Sequence, residues 1–97
     1  MKTEKKDIIN RLKRTEGQIR GIQRMIEEEK SCFDIITQLT AIRSSINSTM
    51  GVIIGEKITQ VIENPSDDPQ LQEERINQAI NLIIKKYKDV VSHVFLN

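Results

Sequence analysis

The residues of this sequence that could carry chemistry are a group of basic side chains near its start and a single cysteine, Cys32. Residues 1–26 hold eight Lys or Arg and three Asp or Glu, which gives this segment a net charge of +5. Because the whole chain has a net charge of +1, the other 71 residues have a net charge of −4. A segment of this charge suits a polyanionic partner, because each Lys or Arg that contacts a phosphate releases counterions from a nucleic acid. A lone thiol can be oxidised, can add to an electrophile or can supply one bond to a metal ion.

Enzymatic catalysis is not indicated. The sequence has one histidine, His93, and lacks both a Gly-rich phosphate loop and a spacing typical of a nucleophile and its base. We therefore expect no catalytic residues. A lone histidine in an apolar last turn is more often structural than a metal ligand. One cysteine also excludes an intrachain disulfide and a four-cysteine zinc site within one chain.

Apolar residues recur at steps of three and four through most of the chain, which is the period of helices with one buried face. The pattern predicts an all-α fold with a long central helix, the three helices covering residues 4–29, 32–62 and 69–93. Isoleucine supplies 17 of the apolar side chains, so the composition is that of a folded domain and not of a disordered chain.

Capping residues mark where these helices begin. Ser31 is the predicted N-cap of the second helix, with Asp34 completing a capping box. Asp68 and Pro69 read as the N-cap and first residue of the third helix. Residues 63–68 are the predicted linker, and the length of the chain predicts a single domain over residues 1–97.

The second helix is too long for a compact monomer. At 1.5 Å per residue it would extend about 45 Å, whereas a compact chain of this size is about 30–35 Å across. Part of its apolar face therefore needs another partner, and the same helix of a second copy is the simplest one. We expect antiparallel pairing of these helices and at least a dimer.

The basic residues of the first helix share one face. At 100° per residue, Lys13, Arg20 and Arg24 fall within about 40° of one another and about 160° from the apolar face. No aromatic residue lies between them, which favours contact with a duplex backbone over single-strand stacking. The alternative is a solvated face of a helical oligomerisation module that binds no DNA, but this leaves the one-sided placement of the charge unexplained.

Membrane insertion and export are not expected. The sequence contains no apolar run long enough to span a bilayer, and its first residues lead into no apolar signal core. We therefore expect a cytoplasmic protein with no membrane partner.

The run from Arg11 to Met25, RLKRTEGQIRGIQRM, followed by Cys32 and by TQLTAIR ending at Arg43, resembles the copper-sensing operon repressor family. Relatives in that family sense nickel or cobalt, formaldehyde or persulfides. The resemblance covers essentially the whole chain and implies a homotetramer, a dimer of dimers, that represses transcription by binding double-stranded operator DNA. The DNA contacts that it implies are made by Lys13, Arg14, Arg20 and Arg43, with Arg11 and Arg24 as flanking candidates.

The resemblance also assigns a sensor site, and here the sequence departs from the copper sensors. Cys32 matches their first Cys, but Lys57 stands where they carry a His and Val61 where they carry a second Cys. Cu(I) prefers thiolate and imidazole donors. The sequence therefore predicts no cofactor, with Cys32 as the sole candidate if a metal binds.

An antiparallel pair of second helices would bring Lys57 of one copy beside Cys32 of the other. We therefore expect Cys32 and Lys57 to form the sensor, and a small inducer to release the repressor through thiol chemistry with an oxidant, an aldehyde or a reactive sulfur species. Two alternatives remain within the family: a repressor that responds to Cu(I) or another metal, and an inert Cys32 that acts as a small buried apolar residue.

Overall fold

The computed structural model describes the backbone of residues 3–95 and the side chains of residues 5–88. Its three helices are α1 (Thr3–Glu27), α2 (Cys32–Glu63) and α3 (Pro69–Phe95). The described part of the chain contains no strand, so the predicted all-α fold with a long central helix is confirmed. None of the three helices, over the described residues, has the length and hydropathy that crossing a membrane requires.

The end of α1 differs from the prediction. The helix ends at Glu27 and not at residue 29, because Glu29 adopts a φ of 56°. The Glu29 N–H donates to the carbonyl of Ile26 over 3.1 Å, and the Lys30 N–H donates to that of Met25 over 2.9 Å. These two bonds form a Schellman motif, in which a left-handed residue closes the helix. The motif leaves a short connection to α2, so the two helices run antiparallel.

The starts of α2 and α3 follow the predicted caps. The Asp34 N–H donates to Ser31 Oγ over 3.2 Å, which makes Ser31 the N-cap of α2. The Gln70 N–H donates to Asp68 Oδ1 over 3.1 Å, and α3 begins at Pro69. A proline is favourable there because the first helical N–H has no partner within the helix.

The chain divides into two compact units, Met1–Thr49 and Met50–Asn97. The boundary lies inside α2, and the single domain over 1–97 stays a prediction. In the first unit, α1 packs on the first half of α2 through side chains that recur every seven residues. The buried members are Ile8, Thr15 and Ile22 on α1 and Ile42 and Thr49 on α2.

A polar contact sits within this packing. Thr15 is 4% exposed, and its Oγ1 donates to the carbonyl of Arg11 over 3.1 Å. The same oxygen lies 3.3 Å from Ser45 Oγ. The hydroxyl is therefore satisfied although it is buried, as a buried polar group must be if it is not to destabilise the fold.

The second unit is held by a glutamine at the start of α3. Gln72 Nε2 donates to the carbonyl of Val61 over 3.3 Å, and the Ser66 N–H donates to Gln72 Oε1 over 2.9 Å. One side chain thus ties the end of α2, the linker and α3 together. Val61 and Ala79 are the buried apolar residues among those described in this unit, each 7% exposed.

A second apolar row on the first unit stays exposed. Its side chains, which also recur every seven residues on each helix, are 40–58% exposed: Leu12, Ile19 and Ile26 on α1, and Leu39 and Ile46 on α2. We call this set the exposed seam. Among the described residues no large side chain is fully buried, so the core of a single chain is thin. Apolar surface of this kind is typical of chains that associate.

Candidate nucleic-acid interface

Four of the predicted DNA-contacting side chains lie exposed on α1: Lys13, Arg14, Arg20 and Arg24. The side of α1 that packs on α2 carries the buried residues Ile8, Thr15 and Ile22. The surface between the basic side chains is open, because a Cβ placed at Gly21 would meet nothing within 4 Å. We call these four residues the basic face.

Ion pairs neutralise little of the basic face. Arg20 Nη1 lies 3.3 Å from Glu16 Oε1, with both side chains more than 60% exposed. A pair this exposed is weak and exchanges easily for another anion. Lys13, Arg14 and Arg24 form no ion pair with any described residue. These three side chains therefore carry positive charge that no described residue neutralises.

Arg11, the fifth candidate on α1, lies apart from the basic face. Its side chain is 32% exposed, and its Nε lies 3.7 Å from Asp7 Oδ2. That Nε is buried and has no hydrogen-bond partner among the described residues. Arg11 thus stands at the border of the α1–α2 packing, and of the candidates on α1 it is the one that the structure makes least accessible to a partner.

Arg43, the candidate on α2, belongs to the same unit as the basic face. Its side chain is exposed, whereas the preceding residue, Ile42, is 6% exposed and packs inward. Contact of Arg43 and of the α1 candidates with DNA stays a prediction.

Cys32 is the first residue of α2 and lies directly after the cap Ser31. Its thiol is free and exposed. Among the described residues, no group of three or more His, Cys, Asp or Glu side chains is placed to hold a metal ion. The described part of one chain therefore offers a single thiol and no assembled metal cage.

The second predicted sensor residue, Lys57, lies in the other unit. It is half-buried and lines a cavity together with Val61, Gln60, Asn64 and Arg75. Its pairing with Cys32 of a second copy stays a prediction. His93 falls in the part of α3 whose side chains lie outside the described residues.

Sequence reasoning missed three of these cavity residues. Gln60 and Asn64 follow Lys57 at steps of three and seven, so their presence on one helix face was readable from the spacing. Arg75 follows the linker, and only the packing of α3 on α2 places it beside the others.

The basic face, Cys32 and the cavity all lie within one family match. A family model described as "Metal-sensitive transcriptional repressor" covers residues 4–85. This chain belongs to that family. The family is one of transcriptional repressors, which are not enzymes.

Individual members of the family give the same picture. The chain is 43% identical over 61 residues to the copper-sensing transcriptional repressor RicR of Mycobacterium tuberculosis, covering 62% of this chain and 64% of that protein. It is 49% identical over 45 residues to the copper-sensing transcriptional repressor CsoR of Bacillus subtilis, covering 46% and 45%. The transcriptional repressor RcnR of Salmonella typhimurium is 27% identical over 71 residues, covering 73% and 79%. The chain thus spans less than two thirds of the length of RicR and CsoR.

The family corrects one prediction and reorders another. The predicted absence of a cofactor is wrong, because the family is metal-sensitive. Lys57 and Val61 stand where the copper sensors carry a His and a second Cys, so two of those copper ligands are missing here. Transition metals nevertheless accept sulfur, nitrogen and oxygen ligands in several other combinations. The family also favours the metal-responsive alternative over the predicted thiol chemistry with oxidants, aldehydes or sulfur species.

Proposed function

We propose that this protein is a transcriptional repressor that binds double-stranded operator DNA through the basic face of α1 and changes its DNA affinity in response to a transition metal ion. The observation that carries the DNA-binding half is that three cations of the basic face, Lys13, Arg14 and Arg24, are exposed and have no ion-pair partner among the described residues. Family membership supports the metal-responsive half.

The geometry of α1 suits phosphates better than bases. A row from Lys6 to Arg24 is about 27 Å long at 1.5 Å per residue, which is close to eight base-pair steps of about 3.4 Å. Long, flexible cations spread along such a row follow a phosphate backbone and supply affinity that depends strongly on salt. Sequence preference then comes from the shape of the operator and from any further contacts, such as one by Arg43.

We further propose that the working form is a homotetramer, a dimer of dimers, in which α2 pairs with α2 of another copy in antiparallel orientation. The exposed seam supports this assembly, because its 40–58% exposed side chains leave apolar surface that a second copy can cover. An assembly also repeats the basic face, so that several weak phosphate contacts act on one operator at the same time.

The residues do not fit the copper cage that the resemblance implies. Cys32 supplies an exposed thiol, but Lys57 carries an ammonium and Val61 is an apolar side chain that is 7% exposed. Neither replaces an imidazole or a thiolate as a ligand for Cu(I). A metal response of this protein therefore requires a donor set that differs from that pattern and uses Cys32 as its only thiol.

The DNA-binding proposal is tested by fluorescence anisotropy with a labelled operator duplex over a salt series. We expect Lys13→Glu and Arg14→Glu each to weaken binding and to reduce the slope of log K against log salt by about 1. Lys30→Glu, an exposed lysine beyond the end of α1, is the matched control and should leave the slope nearly unchanged. Equal affinities for all four proteins would remove the basic face from DNA binding.

The same assay tests the metal response when Cu(I), Ni(II), Co(II) or Zn(II) is titrated into the protein–DNA complex without oxygen. We expect at least one of these ions to shift the DNA affinity, and Cys32→Ala to bind DNA normally but to lose the shift. Release by an oxidant or an aldehyde, with no effect of any metal, would contradict the metal response and restore the thiol chemistry.

A further inference from the structure

A cavity of about 340 Å³ lies in the second unit, between the last turns of α2 and the second turn of α3. Its walls are Lys57, Gln60, Val61, Asn64 and Arg75. Binding sites for small molecules usually occupy about 300–1,000 Å³, so this space admits a small molecule and not only a single ion or water.

The chemistry of the walls is cationic. They carry one ammonium and one guanidinium, two side-chain amides and no carboxylate. Lys57 and Arg75 are both half-buried. Neither has a hydrogen bond or an ion pair with another described side chain. Two partly desolvated cations that share one cavity repel each other, and an anion placed between them would relieve this repulsion.

The cavity is also held in shape before any ligand arrives. Gln72 binds the Val61 carbonyl on α2 and the Ser66 N–H in the linker, which fixes the start of α3 against the end of α2. Arg75 follows Gln72 by one helical turn, so the position of its backbone is fixed by the same bonds. A site that needs little rearrangement loses less of its binding free energy to ordering.

We propose that this cavity is a binding site for a small oxyanion, a molecule with a carboxylate, sulfate or phosphate group. The guanidinium of Arg75 is suited to hold two oxygens of such a group, while the ammonium of Lys57 acts as a point charge. The amides of Gln60 and Asn64 are available to bind polar atoms in the rest of the ligand. The oxyanion site goes beyond the proposed metal response and does not depend on it. Lys57 and Arg75 repel a metal ion, so the cavity is not the proposed metal site.

The proposal is tested by calorimetry and by amide NMR shifts on the full chain without DNA, with inorganic phosphate, sulfate or citrate as the probe. Sodium chloride keeps the ionic strength constant, so that general screening is subtracted. We expect saturable binding, with the largest shifts at the amides of residues 57–64 and 72–75. Absence of saturation, or shifts centred on the basic face of α1, would overturn the site.

Charge variants locate the ligand. Lys57→Gln and Arg75→Gln should each weaken binding about tenfold, because each removes a charge-assisted hydrogen bond. Lys88→Gln, an exposed lysine of α3 outside the cavity, should bind like the wild type.

Asn64→Asp tests the same point with little risk to folding, since Asn64 is exposed at the end of α2. Its added negative charge should reduce binding, whereas Asn81→Asp, exposed elsewhere on α3, should not. Equal weakening by variant and control would overturn the proposal.

Discussion

At the scale of single residues, the connection between α1 and α2 depends on two neighbours with opposite roles. Glu29 ends α1 by adopting a left-handed conformation, and Ser31 begins α2 by capping the N–H of Asp34. The conformation of Glu29 is unfavourable for a residue with a Cβ, by about 1–2 kcal/mol. Ser31 is a residue type that favours its position. The turn therefore contains one stabilising residue and one that opposes the backbone geometry it must adopt.

Replacing Glu29 with glycine should stabilise the protein. We expect Glu29→Gly to raise the free energy of unfolding by about 0.5–1 kcal/mol. Glycine adopts the left-handed conformation without the steric cost of a Cβ, and the greater freedom of the unfolded chain offsets only part of this gain. Urea unfolding followed by circular dichroism measures it, at one protein concentration because association changes stability. Glu28→Gly is the control, since its φ is not positive, and it should destabilise. Destabilisation by both variants would show that Glu29 contributes more through its side chain than it loses through its backbone.

At the scale of elements, α1 and the first half of α2 pack through two kinds of contact. Ile8, Ile22 and Ile42 supply apolar burial, whereas Thr15 and Ser45 supply a polar contact in the middle of the interface. Contacts between apolar side chains of similar shape are non-directional, so by themselves they allow one helix to shift along the other. A hydroxyl pair within hydrogen-bond distance fixes one alignment of the two helices. This pair therefore sets how the basic face of α1 is positioned relative to α2 within the first unit.

A double-mutant cycle on Thr15 and Ser45 should measure this coupling. We expect Thr15→Val and Ser45→Ala each to reduce stability by about 1 kcal/mol, with an interaction energy of about 0.5–1 kcal/mol between them. Thermal and urea unfolding of the four proteins gives the cycle. Thr37 provides the control, because its hydroxyl donates to Phe33 O within α2, so Thr37→Val and Ser45→Ala should be additive. Additivity in the Thr15 cycle would contradict a coupled pair.

At the scale of the whole molecule, our proposal is that several copies of the chain form the repressor together. The exposed seam carries five large apolar side chains on the first unit alone, while the core of one chain contains no fully buried large side chain among the described residues. Burial of apolar surface contributes roughly 25 cal/mol per Å², so covering the seam adds stability that a separate chain lacks. In the proposed assembly, folding and association are therefore linked to one another.

A charge within the seam should separate the copies. We expect Leu39→Glu to lower the molecular mass measured by analytical ultracentrifugation, because a carboxylate buried between copies has no partner there. The circular dichroism of α-helices should persist, since Leu39 is 44% exposed in the single chain. Thr40→Glu, exposed on the neighbouring face of α2, is the control and should keep the wild-type mass. A Leu39→Glu protein of unchanged mass would show that the seam is not an interface.

Much of this fold was predictable from the sequence, because its signals are local. The steps of three and four gave the helices, and the side chains of Ser31 and Asp68 marked two helix starts. The end of α1 was not predictable, because no sequence signal makes a glutamate left-handed. The half-buried state of Arg11 was within reach, since on a helical wheel it lies about 60° from the apolar face. Arg75 joins Lys57 only through tertiary packing, so a single sequence gives no warning of that cavity.

The bonds made by Gln72 also give the protein a built-in reporter. The amide hydrogen of Ser66 lies in the linker, yet it is donated to Gln72 Oε1 and not to water. Its exchange with deuterium therefore becomes fast when the Gln72 side chain releases it, as happens when the start of α3 lifts away from the end of α2. The deuterium uptake of this one linker amide thus reports on the docking of α3 without any attached label. Measuring it with and without DNA would show whether DNA bound at α1 changes the packing of α3 on α2.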